Sequence, residues 1–127
     1  MDARSALEKL SEMQIVDVRD PDELKAGYIE GAVNIPLPEL PARLGELDEA
    51  KTILAVCETG QRSYDAAELL EARGFTAHNL EGGMWGWNLR NLPVVMPGED
   101  APGSAGLAWK RPGSSGGEGT GSAEPSG

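Results

Sequence analysis

Thr52-Ile53-Leu54-Ala55-Val56-Cys57-Glu58-Thr59-Gly60-Gln61-Arg62-Ser63 is the stretch that decides how this chain folds. The apolar run at 52–56 predicts a strand, and its unbroken hydrophobicity predicts a central one. Residues 63–73 predict a helix that buries Ala66, Ala67, Leu69 and Leu70 and stops at Gly74. Between strand and helix lies a tight loop with a thiol at its first position. Gly60 permits a backbone turn closed to other residues. Backbone N–H groups of a loop that runs into a helix converge on whatever fills its centre. The helix dipole and Arg62 add positive potential there, which favours the thiolate, the nucleophilic form of cysteine. Cys57 is therefore the candidate nucleophile. Taken without its loop, a lone cysteine at a strand end is a small buried hydrophobe. Gly60 and the planar fork of Arg62 set the functional reading above that one.

Outward from the loop, helices and strands alternate. Residues 3–12 predict a helix with Ala6, Leu7 and Leu10 on one side, and 14–18 a short strand. Asp20 is a candidate cap for a brief helix that opens with Pro21 and ends at Gly27. A short strand at 32–35 is closed by Pro36, and 38–44 suggests another helix. Residues 76–80 predict a further strand. Gly82-Gly83 then turns into a last helix carrying Trp85, Trp87 and Leu89, with both tryptophans expected against the core. Short strands between helices predict an α/β domain with a parallel sheet covered on both faces. In such sheets the working loops lie beyond the carboxyl ends of the strands, where Cys57 falls.

Composition bounds the partners. The 127 residues suffice for one domain. With a single cysteine no internal disulfide forms, which points to a reducing, cytoplasmic setting. No apolar run is long enough to span a membrane, and Met1-Asp2-Ala3-Arg4-Ser5 lacks the basic-then-apolar pattern of a signal peptide. A formal charge of −10 argues against nucleic acid and against anionic membranes as partners. An anionic substrate would have to meet a local positive pocket. No metal-ligand cluster is visible, and the single histidine, His78, falls in a predicted strand. The chain divides near residue 96: a patterned domain over 1–96, then a Gly/Ser/Pro-rich tail over 97–127. Such a tail buries too little apolar surface to offset its ordering entropy and is expected to be disordered. Its one island, Leu107-Ala108-Trp109-Lys110-Arg111, reads as a docking motif or, more simply, as a stray apolar patch.

Three motifs carry a family resemblance. Val16-Asp17-Val18-Arg19 followed by Gly27-Tyr28-Ile29-Glu30-Gly31-Ala32-Val33-Asn34-Ile35-Pro36 resembles the first signature of the rhodanese-like domain. Residues 57–63 resemble its active loop, and Leu80-Glu81-Gly82-Gly83-Met84-Trp85-Gly86-Trp87 its closing motif. The motifs occur in the family's order and span nearly all of 1–96. The resemblance implies a three-layer rhodanese-like domain and a sulfurtransferase that holds sulfane sulfur as a Cys57 persulfide. Glu58, Thr59, Gly60, Gln61, Arg62 and Ser63 would form the loop that cradles the terminal sulfur, with Asp17 and Arg19 as supports beneath it. The implied partners are a small sulfur donor such as thiosulfate and a thiol or cyanide acceptor. A protein that donates or accepts the sulfur is the alternative. Neither a metal nor an organic cofactor is implied.

Several positions leave alternatives open. Arg62 either holds a donor's sulfonate end or braces the loop by pairing with a carboxylate, Asp17 being the obvious candidate. Ser63 is a candidate helix cap. Tyr28 and Glu30 stand where the family commonly has His and Pro. Glu58 places a carboxylate directly after the nucleophile, where many thiosulfate-using members carry a basic or neutral residue. Pointed into the pocket it opposes a dianion; pointed to solvent it is screened. A related cell-cycle phosphatase reading needs five residues between Cys and Arg, whereas four intervene here. A non-enzymatic binding module on the same fold is a further alternative.

Overall fold

The structure, a computed structural model, describes residues 1–97. The expected tail from residue 98 onward, including the island at 107–111, lies outside the described residues. Ile53–Val56 forms β3, buried at all four positions as its apolar run requires. Gln14–Asp17 (β1) pairs with β3 in parallel, Val16 opposite Ala55 and Asp17 opposite Val56. Val33–Asn34 (β2) adds to the far side of β1, and Ala77–Asn79 (β4) to the far side of β3, both parallel. The order β2-β1-β3-β4 covers both faces with helices and 3₁₀ turns.

Alternation along β3 sends its side chains into two separate cores. Ile53, Ala55 and Cys57 face one, with Leu40 and with Ala66, Ala67 and Leu70 from Gln61–Ala72 (α2). Leu54 and Val56 face the other, with Ala3 and Ala6 from Ala3–Lys9 (α1) and with Met84 and Trp87 from Gly83–Leu89 (α3). This is the expected three-layer α/β arrangement. No helix among the described residues is long and apolar enough to cross a membrane.

Local departures have local causes. The helices expected after Asp20 and over 38–44 are of the 3₁₀ kind, Pro21–Ala26 and Leu37–Glu46. The first is six residues long and ends at Gly27, whose φ of 112° breaks the helical path. The second contains Pro41, which has no N–H for a continuous ladder, and kinks at Arg43. Helix α2 starts at Gln61, two residues before the expected position, because Gly60 in the left-handed region is its N-cap. Ser63 therefore lies inside the first turn and is not the cap. Trp87 is fully buried and its Nε1 donates to the Pro93 carbonyl at 2.9 Å. Trp85 is 61% exposed, against the expectation that it packs in the core. Beyond α3 the chain returns to pair Val95 with Tyr28 in an antiparallel bridge.

Candidate active site

The crevice beyond the carboxyl ends of β1 and β3 is where the sheet reverses its order of growth. After β1 the chain moves outward to β2, and later returns to the other side for β3. Residues leaving β1 and β3 therefore meet. Cys57 follows Val56 at the end of β3, and Asp17 ends β1 two residues before Arg19.

Cys57 is fully buried and lines one core. That much agrees with a small hydrophobe. Its sulfur does not have a hydrophobe's surroundings. The N–H groups of Gly60 and Ser63 donate to Sγ at 3.1 and 3.2 Å, and the Ser63 hydroxyl lies at 3.2 Å. First-turn N–H groups of a helix have no intrahelical acceptor. The loop aims that unsatisfied end of α2 at one atom. Asn79, at the end of β4, receives the Ser63 hydroxyl on Oδ1.

Helix α3 holds the loop from the other side. Met84 N–H donates to the Cys57 carbonyl and Trp85 N–H to the Glu58 carbonyl, each at 2.9 Å. Gly83 makes this approach possible. A Cβ there would collide with the Glu58 carbonyl and lie 2.6 Å from the Cys57 carbonyl oxygen. Gly60 has φ 99°, and a Cβ there would come within 3.2 Å of the Gly82 nitrogen. Both glycines are required by close backbone packing.

The charged groups sort into two linked pairs. Asp17 and Arg19 are buried and bound through three side-chain contacts, the shortest 2.8 Å from Arg19 Nη2 to Asp17 Oδ2. Arg19 also donates to the Gly27 carbonyl at 2.9 Å, so it ties β1 to the chain leading into β2. Asn34 completes the tie, donating from Nδ2 to the Asp17 and Arg19 carbonyls at 2.9 Å each. Glu58 is 41% exposed and turns its Oε1 toward Arg19 Nη1 at 3.6 Å. Arg19, held by Asp17, thus meets the loop at its second residue.

Arg62 does not pair with Asp17, whose carboxylate Arg19 already occupies. Its two Nη atoms donate to the two oxygens of Glu23 at 2.8 and 2.7 Å. That bidentate bond, above all other causes, holds the Glu23 carboxyl down at about 2. The same bond chiefly raises Arg62 above the ordinary guanidinium value. Glu23 also accepts from the Asp20 N–H at 3.0 Å. Sequence reasoning missed Glu23, Asn79 and the steric role of Gly83. The spacing of Asp20 and Glu23 was a visible signal for a capping box, but nothing local connects Glu23 with a residue 39 positions away. Thr59 and Gln61 complete the loop, whose bonds to Sγ come from Gly60 and Ser63. His78 is exposed on β4.

A sulfurtransferase of Allochromatium vinosum is 32% identical over 101 residues, covering 76% of this chain and 94% of that protein. A thiosulfate sulfurtransferase of Shewanella oneidensis is 35% identical over 80 residues, covering 62% of this chain and 79% of the other. Among solved structures, a rhodanese-related protein of Thermoplasma volcanium superposes with a TM-score of 0.74 at 33% identity, over 76% of this chain and 96% of that one. The family model described as the Rhodanese-like domain matches residues 2–90, so this chain belongs to the rhodanese-like domain family.

Proposed function

We propose that this protein transfers sulfane sulfur through a persulfide on Cys57. The observation that carries the reading is the convergence of Gly60 N–H, Ser63 N–H and the Ser63 hydroxyl on a single sulfur. A core cysteine needs no such donors; a sulfur that becomes anionic does. The Cys57 thiolate attacks the outer sulfur of a donor, of which thiosulfate is the simplest. A new S–S bond forms, the donor's S–S bond breaks, and sulfite leaves with the bonding pair. The negative charge then sits on the terminal sulfur, in reach of the first-turn N–H groups of α2. A thiol or cyanide acceptor removes that sulfur and regenerates the thiolate. Nucleophile, leaving group and product balance without an external oxidant or reductant.

Phosphate chemistry is disfavoured by the loop. Only Glu58, Thr59, Gly60 and Gln61 separate Cys57 from Arg62, and the Arg62 fork faces Glu23. A second reading, a relay that takes its sulfur from a partner protein's persulfide, draws support from the carboxylates of Glu58 and Glu23 at the loop rim. The test is intact mass after exposure to thiosulfate or to a small persulfide. One added sulfur on the wild type, and none on Cys57→Ser, is the expected result. Unchanged mass with every donor would remove the proposal.

A further inference from the structure

Three carboxylates and two guanidinium groups surround the loop: Asp17, Glu23 and Glu58 against Arg19 and Arg62. Arg19 is committed to Asp17 and lies buried beneath the loop. Arg62 is the remaining cation, on the loop itself, and both of its Nη atoms are held by Glu23. Each member of that pair retains about a third of its side-chain exposure, 37% for Arg62 and 31% for Glu23. The fork is therefore at the rim, where a donor arrives, yet already occupied. Glu23 is itself fixed by the Asp20 N–H, and its own carbonyl lies 3.3 Å from Arg19 Nη1. Its carboxylate is thus held between the Asp20 N–H that caps its own 3₁₀ turn and the guanidinium of Arg62 on α2.

We propose that Glu23 is a specificity-determining positioning residue: by filling the Arg62 fork it withholds that cation from a doubly charged donor, so the site favours a low-charge thiol persulfide over thiosulfate. The proposal rests on the persulfide chemistry at Cys57. With thiosulfate, two negative charges must approach a rim whose carboxylates outnumber its cations. With a thiol persulfide reacting as R–S–SH, the Cys57 thiolate attacks the outer sulfur and the thiolate R–S⁻ leaves. The S–S bond broken is replaced by the S–S bond formed, and no doubly charged species enters. Bidentate pairing of a carboxylate with a guanidinium leaves few good donor directions for a second anion.

The experiment compares thiosulfate with cysteine persulfide as donors, at low salt, for wild type, Glu23→Gln, and the double variant Glu23→Gln/Arg62→Gln. Glu23→Gln is expected to raise kcat/KM for thiosulfate about threefold to tenfold, mainly through KM, and to change the persulfide value by less than about twofold. The double variant should lose that gain: its ratio of thiosulfate to persulfide kcat/KM should return to within about twofold of the wild-type ratio, whatever common loss follows from removing a charge of the loop. Equal effects on both donors in Glu23→Gln, or a gain that survives loss of Arg62, would overturn the proposal. If Glu23→Gln does not fold, the double variant decides alone: a selective loss of about tenfold for thiosulfate would show that Arg62 serves that donor in the wild type, and would overturn it. Wild type that loads sulfur on Cys57 while these ratios stay unmoved rejects only the role of Glu23. Wild type that loads no sulfur from either donor rejects the persulfide reading and this proposal together.

Discussion

Ser63 has one hydroxyl proton and two acceptors in reach, Cys57 Sγ and Asn79 Oδ1. An anionic sulfur needs that proton. Asn79 can then turn its amide and offer an N–H to Ser63 Oγ, so the pair relays polarity without carrying charge. Asn79→Asp would hold only acceptors against the hydroxyl and draw its proton away from sulfur. A charge-assisted hydrogen bond is worth about 1.5–3 kcal/mol, so Asn79→Asp and Ser63→Ala should each slow persulfide formation by roughly tenfold or more. Stopped-flow loading of Cys57 checks this; rates within twofold of wild type would exclude the relay. Glu58 acts more weakly. Its carboxylate is partly exposed and shares Arg19 with Asp17, so Glu58→Gln should raise thiosulfate kcat/KM by only about twofold, and less at high salt. At this scale Cys57, Gly60 and the supports Asp17 and Arg19 were legible in the sequence, because strand, glycine and loop are contiguous or carry a known signature. Asn79 and Glu23 were not, because only the sheet order brings β4 and the turn after β1 against the loop.

The elements around Cys57 are pinned to one another by backbone. Helix α3 donates two N–H groups to loop carbonyls, and Gly83 is the residue that lets them reach. Gly83→Ala forces the loop or the helix aside; it should cost about 2–4 kcal/mol in urea unfolding and depress sulfur transfer with it. Glu23 and Arg62 fasten the 3₁₀ turn after β1 to helix α2. Because the folded Glu23 carboxyl titrates at about 2, below the usual 4.5, its contribution is present above pH 4.5 and is lost as pH falls toward 2. Both side chains are about a third exposed, so screening reduces that contribution to about 1 kcal/mol. The stability gap between wild type and Glu23→Gln should therefore be constant near neutrality and close below pH 4.5. A gap that widened on acidification would contradict the pairing. The helix pattern also explains the error at Trp85. Residues two apart on a helix do not share a face, so Trp85 and Trp87 could never both enter one core. Met84 and Trp87, three apart, are the pair that does.

At the scale of the whole molecule, the parallel sheet and its two cores were readable from alternation between short apolar runs and helical segments. The pairing of Tyr28 with Val95 was not, because it joins residues far apart in the chain. Leu92 and Val94 pack on the core that contains Trp87. Tyr28 and Val95 exchange backbone bonds at 2.9 and 2.8 Å, and the Pro93 carbonyl is the acceptor for the buried indole. These contacts hold the chain against the domain beyond α3 as far as Met96, whose sulfur would lie 3.2 Å from a Cβ at Gly27. Gly27 in turn accepts from Arg19, so the closing segment reaches the support beneath the loop. Two truncations separate this closure from everything that follows it. Removal of residues 98–127 should leave the melting temperature within about 2 °C of the full chain and the transfer rate unchanged. Removal of residues 92–127 strips Leu92 and Val94 from the core that contains Trp87 and leaves the indole N–H without its acceptor. That shorter chain should melt more than about 10 °C lower, and its Trp87 fluorescence should shift toward the solvated value. Equal melting of the two truncated chains would mean that the return segment adds nothing to the fold. A large loss in the longer one would place a stabilising contact beyond residue 97.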